Sequence, residues 1–197
     1  MPRPRLVTDD QILAAMRRGV IARGAHVPLE AVADELSVSV PALLKRFGTR
    51  RALMLAALAP PERPDWIEAV LRGPDHRPVE TQLHEMFTRI LDYLGEVVPC
   101  LAALRESGIP PDRVLAKRGG PERAREALRR WLEMAGERGL ISAPELEAVS
   151  HAMLGAVHAR AFSAHLRNQK PAARAQREFV NELARFFARA LTAKPQP

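Results

Sequence analysis

The stretch of this chain best suited to binding chemistry runs from residue 37 to residue 51. It contains no Asp or Glu, and its second half carries Lys45, Arg46, Arg50 and Arg51. Cations without acidic neighbours are suited to holding the phosphates of a nucleic acid, which fix the position of the protein on the duplex. We therefore expect Lys45, Arg46 and Arg50 to bind phosphates.

Small uncharged side chains precede these cations and could reach base edges. Ser39 can bond a base edge or a phosphate, and Val40, Pro41 and Ala42 offer apolar contacts, for example to thymine methyl groups. Because Pro41 limits hydrogen bonding to bases, we expect modest direct readout and a large electrostatic share of the affinity. The full set of predicted DNA contacts is Arg3, Arg5, Pro28, Ser39, Val40, Pro41, Ala42, Lys45, Arg46, Thr49 and Arg50.

Two short helices must position these side chains. Pro28 favours a helix start, and the run from Glu30 to Leu36 has helical apolar spacing. A turn at residues 37–39 follows, and Ser39 is a good N-cap for a second helix that ends at Gly48. This pattern predicts a helix-turn-helix. Thr49 is the predicted N-cap of a further helix that runs to Leu58.

The stretch resembles the DNA-binding domain of the TetR family of bacterial transcriptional regulators. The residues that match the family pattern are Val32-Ala33, Val38-Ser39, Phe47, Arg50 and Leu53. Three positions depart from it. Leu36-Ser37 replaces the usual Ala-Gly at the turn, and Leu44 replaces a Tyr that usually touches a phosphate.

The resemblance implies an all-α protein with an N-terminal three-helix DNA-binding domain, residues 1–53, and a C-terminal helical domain, residues 54–197. It implies a homodimer formed by two C-terminal helices, 142–166 and 172–191, which binds a palindromic operator in double-stranded DNA. It also implies a ligand that alters DNA binding, with repression relieved by ligand as the family's common mode.

An apolar pocket between the C-terminal helices is the expected ligand site. Few charged residues fall on the predicted inner faces, which favours a small apolar or amphipathic ligand. Ordinary core packing is the alternative for each residue taken singly. The candidate lining residues are Trp66, Met86, Phe87, Ile90, Tyr93, Leu94, Trp131, Met134 and Met153.

Charge is unevenly distributed along the 197 residues, whose formal net charge is +7. Residues 1–59 carry nine Lys or Arg and five Asp or Glu, while residues 60–150 carry thirteen and sixteen. A basic N-terminal region fits a polyanionic partner. Met1–Val7 reads as a basic arm that could enter a minor groove or lie on phosphates, with a disordered tail as the alternative.

The sequence gives little support for a histidine metal site or a reactive cysteine. His151, His158 and His165 recur every seven residues, roughly 10 Å apart along a helix and too far to share a metal. We expect them to line a packed or dimeric face whose stability could depend on pH. The lone Cys100 reads as a buried structural thiol, with a redox or electrophile sensor as the alternative.

We find no nucleophile elbow, glycine-rich phosphate loop or HExxH motif, so we expect neither an enzyme nor a cofactor or resident metal. No apolar run approaches the roughly 20 residues of a membrane span, and no signal segment begins the chain. We therefore expect a cytoplasmic protein that does not enter membranes. A helical module that uses the helix-turn-helix to bind another protein is the alternative function.

Sequence signals also predict the ends of several other helices. Thr8 and Gln11 form a capping box for the first helix. The helix that begins at Val79 should kink or break at Val98, because Pro99 follows. Residues 117–121 should form a loop, and Ser142 should cap the penultimate helix.

Overall fold

The computed structural model describes residues 7–118, 120–142, 145–169 and 171–192, without the side chain of Lys117. All regular structure in these residues is helical, and no helix among them is long and apolar enough to span a bilayer. The all-α prediction is confirmed. The helices are α1 Asp9–Arg23, α2 Leu29–Glu35, α3 Val40–Phe47, α4 Arg50–Leu58, α5 Asp65–Leu71, α6 Val79–Glu106, α7 Pro111–Arg118, α8 Gly120–Glu137, α9 Leu146–Leu166 and α10 Ala173–Thr192.

Helices α1, α3 and α4 begin at the capping residues that the sequence predicts, and α2 runs one residue earlier than predicted, without a side-chain cap. Thr8 and Gln11 form both hydrogen bonds of the capping box, and Thr49 Oγ1 accepts from the Ala52 N–H at 3.1 Å. Gly48 ends α3 with a φ of 78°, a backbone conformation that glycine adopts without a steric penalty. Local capping therefore fixes the limits of the predicted helix-turn-helix.

The described residues form two compact units, and α6 contributes to both. The first unit contains the residues up to Pro60 together with Glu96–Val114, and the second contains Pro61–Gly95 together with the residues from Leu115 onward. These units differ from the predicted division after residue 53, because α4 and the C-terminal half of α6 pack into the first core. Its fully buried side chains include those of Met16, Leu43, Leu53 and Leu104.

The second unit contains α5, the N-terminal half of α6, and α8 to α10. Helix α8 contacts both α5 and α9. Phe87 of α6 and Phe187 of α10 lie with their ring centroids 5.8 Å apart. This aromatic pair helps to hold α6 against α10.

Helix α6 runs through Pro99 without a break, so of the predicted kink or break at Val98 the break does not occur. Pro99 has no N–H to donate to the carbonyl of Gly95, four residues earlier. Gly95 is exposed, so water can hydrate that carbonyl. The packing of the helix on both sides of Pro99 then outweighs the loss of one backbone hydrogen bond.

Two other predicted boundaries are also wrong. Residues 117–121 do not form a single loop, because α7 extends to Arg118 and α8 begins at Gly120. Pro111 stands at the first position of α7, where its fixed φ favours a helix start. Ser142 does not cap α9, which begins at Leu146. Instead, the Ser142 N–H donates to the Leu191 carbonyl at 2.7 Å.

Candidate functional site

The turn between α2 and α3 adopts a left-handed cap although it lacks glycine. Ser37 has a φ of 54°, its N–H donates to the Asp34 carbonyl at 3.1 Å, and the Val38 N–H donates to the Ala33 carbonyl at 3.0 Å. These two bonds form a Schellman motif, the common way to end a helix and turn the chain sharply. The replacement of glycine by Ser37 therefore preserves the turn.

Ser39 positions the first turn of α3. Its hydroxyl accepts from the Ala42 N–H at 3.3 Å, which satisfies one of the unpaired donors at the helix start. Pro41 occupies the first turn, where an N–H would have no partner in the helix. The Ser39 hydroxyl can still donate its hydrogen, so the cap is compatible with the predicted contact to a base edge or phosphate.

One side of α3 is exposed and carries no negative charge. Ser39, Pro41, Ala42 and Lys45 are exposed, and Val40 is half-buried. Lys45 has no hydrogen-bond or ion-pair partner among the described residues, so its ammonium is free to bind an anion. Leu43 is fully buried and holds the opposite side of the helix in the core.

Two cations predicted to bind phosphate also make contacts within the protein. Arg50 Nη2 donates to the carbonyls of Ala25 and Val27, at 3.0 and 2.7 Å. Arg46 Nη1 donates to the Val7 carbonyl and lies 3.3 Å from an Asp9 carboxylate oxygen. Their positive charge remains near α3, but these donors are engaged. The sequence offered no signal for these bonds, because each spans more than twenty residues.

The remaining predicted DNA contacts lie beside α3 or outside the described residues. Pro28 and Thr49 are exposed at the starts of α2 and α4. Arg3 and Arg5 lie outside the residues that the structure describes. Arg51, which was not in the predicted set, donates to the carbonyls of Ser107 and Gly108 at 3.3 and 3.0 Å. Arg51 thus connects α4 to the end of α6 within the first unit.

A cavity of about 710 Å³ lies in the second unit, among α5, the segment 72–77, α6 and α8. Its volume falls within the range of small-molecule pockets. Trp66, Met86 and Trp131, three of the predicted ligand contacts, line it and are buried. Four arginines and two carboxylates also line it, a charged lining that the sequence pattern did not predict: Arg72, Arg77, Arg89, Arg138, Asp75 and Glu85.

The other predicted ligand contacts are not among the lining residues of this cavity. Phe87, Ile90, Leu94 and Met153 are buried. The Tyr93 ring centroid lies 6.1 Å from that of Trp66, and the Met134 sulfur packs against Gly73. The structure thus brings three of the nine candidates to this cavity.

Arg77 forms the strongest charged contacts of the cavity. Its Nη1 and Nη2 donate to the two carboxylate oxygens of Glu85 at 2.6 and 3.1 Å, and its Nε donates to Asp75 Oδ2 at 2.9 Å. The hydrogen bonds from Arg77 lower the pKa of both carboxyl groups and raise the pKa of the guanidinium. Arg77 and its two partners therefore stay ionised at neutral pH and together carry a net charge of −1.

The segment 72–77, which forms part of the cavity wall, is held by side chains of α6 and α8. Gln82 is 7% exposed, and its amide accepts from the Asp75 N–H at 2.9 Å and donates to the carbonyls of Asp75 and Arg77. Arg138 of α8 donates to the Pro74 carbonyl. These bonds hold the wall of the cavity in one conformation.

Helices α9 and α10 leave apolar side chains exposed. Phe162, Leu166 and Phe186 are 54, 70 and 64% exposed. On α9 the exposed apolar positions follow alternating four- and three-residue steps along one face, and all but the last two are small. They are Ala148, Ala152, Gly155, Ala159, Phe162 and Leu166.

The histidines and the cysteine have different environments. His151 is exposed near Glu147 and Arg125, whereas burial lowers the pKa of the half-buried His158. The described residues contain no group of three or more side chains that could hold a metal ion. Cys100 is 2% exposed, and burial raises its pKa to about 11. A thiol so protonated is poorly suited to sensing oxidants or electrophiles.

Solved structures share this arrangement of helices, although the sequence matches no protein-family model and no curated protein. A Mesorhizobium loti protein assigned to the TetR family superposes with a TM-score of 0.71 at 16% identity, covering 94% of this chain and 96% of its own. A TetR transcription regulator from Haloarcula marismortui gives 0.69 at 16% identity, covering 94 and 98%.

A third similar structure is a TetR transcriptional regulator from Streptomyces coelicolor. Its TM-score is 0.60 at 24% identity, with 95% of this chain and all of its own covered. All three proteins are described as transcriptional regulators. The chain therefore has the TetR-family fold, with an N-terminal helix-turn-helix and a C-terminal helical domain.

Proposed function

We propose that this protein is a ligand-responsive transcriptional repressor that binds a palindromic operator as a homodimer. One observation carries the proposal: the Schellman turn at Ser37 leads into a helix, α3, whose exposed side has no acidic residue and carries the free ammonium of Lys45. A helix of this kind, at the second position of a helix-turn-helix, fits the major groove.

The fold supports the same function. The similar solved structures cover nearly the whole chain and are described as regulators of transcription. A regulator of this kind acts on chromosomal DNA, so we place its activity in the cytoplasm. The division of labour we propose is DNA binding by residues 1–53 and ligand binding and dimerisation by residues 54–197.

The exposed faces of α9 and α10 support dimerisation. Large exposed apolar side chains, such as Phe162 and Phe186, commonly mark an interface in a soluble protein. The small residues on α9 would let the same helix of a second copy approach closely. Two copies related by a two-fold axis would present two α3 helices, which explains the palindromic operator.

The cavity in the second unit supports the ligand response. A ligand that binds one arrangement of the dimer better than another shifts the population toward it, and DNA affinity changes accordingly. Helix α6 lines the cavity through Gln82, Glu85, Met86 and Arg89. The C-terminal part of the same helix belongs to the first unit, and Arg51 of α4 donates to the Ser107 carbonyl just after it. One continuous helix therefore connects the ligand-binding region to the DNA-binding region.

The test is binding to duplex DNA from the region flanking the protein's own gene, measured by fluorescence anisotropy at several salt concentrations. Lys45→Ala should weaken site-selective binding and reduce the salt slope by about two per dimer, at roughly 0.9 per lost phosphate contact. Arg130→Ala, an exposed arginine of α8 in the second unit, is the control and should change neither quantity.

Equal affinity for all duplexes, untouched by Lys45→Ala, would refute the DNA-reading function. The helix-turn-helix would then serve a protein partner instead.

A further inference from the structure

We infer that the cavity in the second unit binds an organic anion, a carboxylate or similar acid with an apolar or aromatic body. This inference deepens the ligand response of the proposed function and rests on it for its biological meaning. It narrows the expected ligand, which was apolar or amphipathic, to an amphipathic one with an acidic end. Three features of the cavity carry it.

The first feature is an excess of positive charge. Four arginines and two carboxylates line the cavity, which leaves a net charge of +2, and Arg72 and Arg89 have no hydrogen-bond or ion-pair partner among the described residues. Glu85 lies near Arg89, yet its two oxygens already accept from Arg77. The cavity therefore keeps uncompensated guanidinium groups, which suit the planar, bidentate binding of a carboxylate.

The second feature is a buried donor without an acceptor. The Trp66 indole N–H is shielded from solvent and has no hydrogen-bond partner in the part of the chain that the structure describes. Trp66 is 5% exposed and lines the cavity. A buried indole normally finds an acceptor, because leaving it unpaired costs free energy. An acceptor oxygen on a ligand reaches this N–H only if a neighbouring side chain moves aside, because the nitrogen has almost no accessible surface.

The third feature is the apolar part of the wall. Trp131, Met86 and Val70 are buried and line the same cavity as the free arginines. Arg72 and Arg89 are exposed, which places charge at the solvent side and aromatic surface behind it. This polarity matches an amphipathic acid with its charged end toward the arginines and its apolar body toward the indoles.

A matched pair of fluorescent probes tests the charge requirement on the full chain without DNA. The probes are 8-anilinonaphthalene-1-sulfonate and N-phenyl-1-naphthylamine, which share one ring system and differ in the sulfonate. The protein has two tryptophans, Trp66 and Trp131, and both line the cavity. Quenching of their emission by energy transfer to the probe reports that the probe is bound, and substitution of the lining arginines assigns the binding to this cavity.

The sulfonate should bind at least about 10-fold more tightly than the neutral probe, and Arg72→Gln/Arg89→Gln should weaken it by about 5- to 20-fold. The double variant should change the affinity of the neutral probe by less than about two-fold, since its ring contacts remain. Arg130→Gln removes a charge from the same unit away from the cavity and should leave both probes unaffected. Thermal unfolding confirms that each variant is folded.

Equal affinity for the two probes would overturn the inference. The same loss of sulfonate binding in the double variant and in Arg130→Gln would overturn it as well, since it would indicate non-specific charge attraction. Binding without tryptophan quenching would place the probe elsewhere, with the same consequence. The titration contains no DNA, so a negative result would not contradict operator binding. Equally, a failure of operator binding would not contradict the anion site.

Discussion

Arg50 Nη2 donates a hydrogen bond to the carbonyl oxygen of Val27 at 2.7 Å, across twenty-three residues of sequence. The same nitrogen donates to the Ala25 carbonyl at 3.0 Å. The bonds fasten the start of α4 to the connection between α1 and α2. Arg50 matches a lysine of the TetR pattern, and here its side chain stabilises the first unit by binding the backbone carbonyls of Ala25 and Val27.

We therefore expect Arg50→Gln to destabilise the first unit. Loss of a charged donor from two partly buried carbonyls should lower the free energy of unfolding by about 1–3 kcal/mol. Urea denaturation measures it. Lys45→Ala is the matched comparison, because Lys45 is exposed and unpartnered among the described residues, and its unfolding midpoint should not change. Equal stability of Arg50→Gln and wild type would contradict this structural role.

The backbone at Ser37 predicts opposite effects of two substitutions. At a φ of 54°, Ser37→Gly should stabilise the protein by about 0.5–1 kcal/mol, after the greater chain entropy of glycine is allowed for. Ser37→Val should destabilise it by about 1 kcal/mol or more, since β-branched residues fit this conformation worst. Thermal unfolding of both variants tests the turn. A less stable Ser37→Gly variant would argue against the left-handed conformation.

A substitution at Gly155 tests the proposed dimer interface without lowering the stability of the protomer. A Cβ at Gly155 meets nothing within 4 Å in the protomer, and the residue lies on the exposed small-residue face of α9. Gly155→Leu should therefore favour the helix within each chain, by about 1 kcal/mol, while it blocks close approach of a second α9. Sedimentation equilibrium should show a dimer dissociation constant raised by at least about 10-fold.

Gly136→Leu is the matched control for that experiment. Gly136 is also helical, exposed and free of contacts within 4 Å of an added Cβ, but it lies on α8. The control should remain dimeric. If Gly155→Leu dimerises as well as Gly136→Leu, then the small-residue face of α9 is not the interface.

Cys100 should resist modification in the folded protein. With a pKa of about 11, roughly one molecule in a thousand carries the thiolate at pH 8, and the side chain is 2% exposed. Because the chain has a single cysteine, the reaction with 5,5′-dithiobis(2-nitrobenzoate) reports this thiol alone. The native protein should react at least about 100-fold more slowly than protein unfolded in urea. A fast reaction of the native protein with this reagent would support a sensor role for Cys100.

The sequence by itself determined the features whose causes are local. Thr8 with Gln11, Ser39 and Thr49 set the starts of α1, α3 and α4, because a capping side chain binds a backbone group only a few residues away. The spacing of the short helices after Pro28 and Ser39 was enough to predict the helix-turn-helix. The resemblance to the TetR family then gave the fold that the solved structures share.

Only the tertiary structure decided which charges are free and which are engaged. Lys45 and Arg50 look alike in the sequence, yet Arg50 is bound to carbonyls that approach it only when α1, α2 and α4 pack together. In the same way, Arg72 and Arg89 meet the indole of Trp131 at one cavity because α5, α6 and α8 converge there. A polar group takes the partner that folding places within about 3 Å, and sequence spacing does not specify that distance.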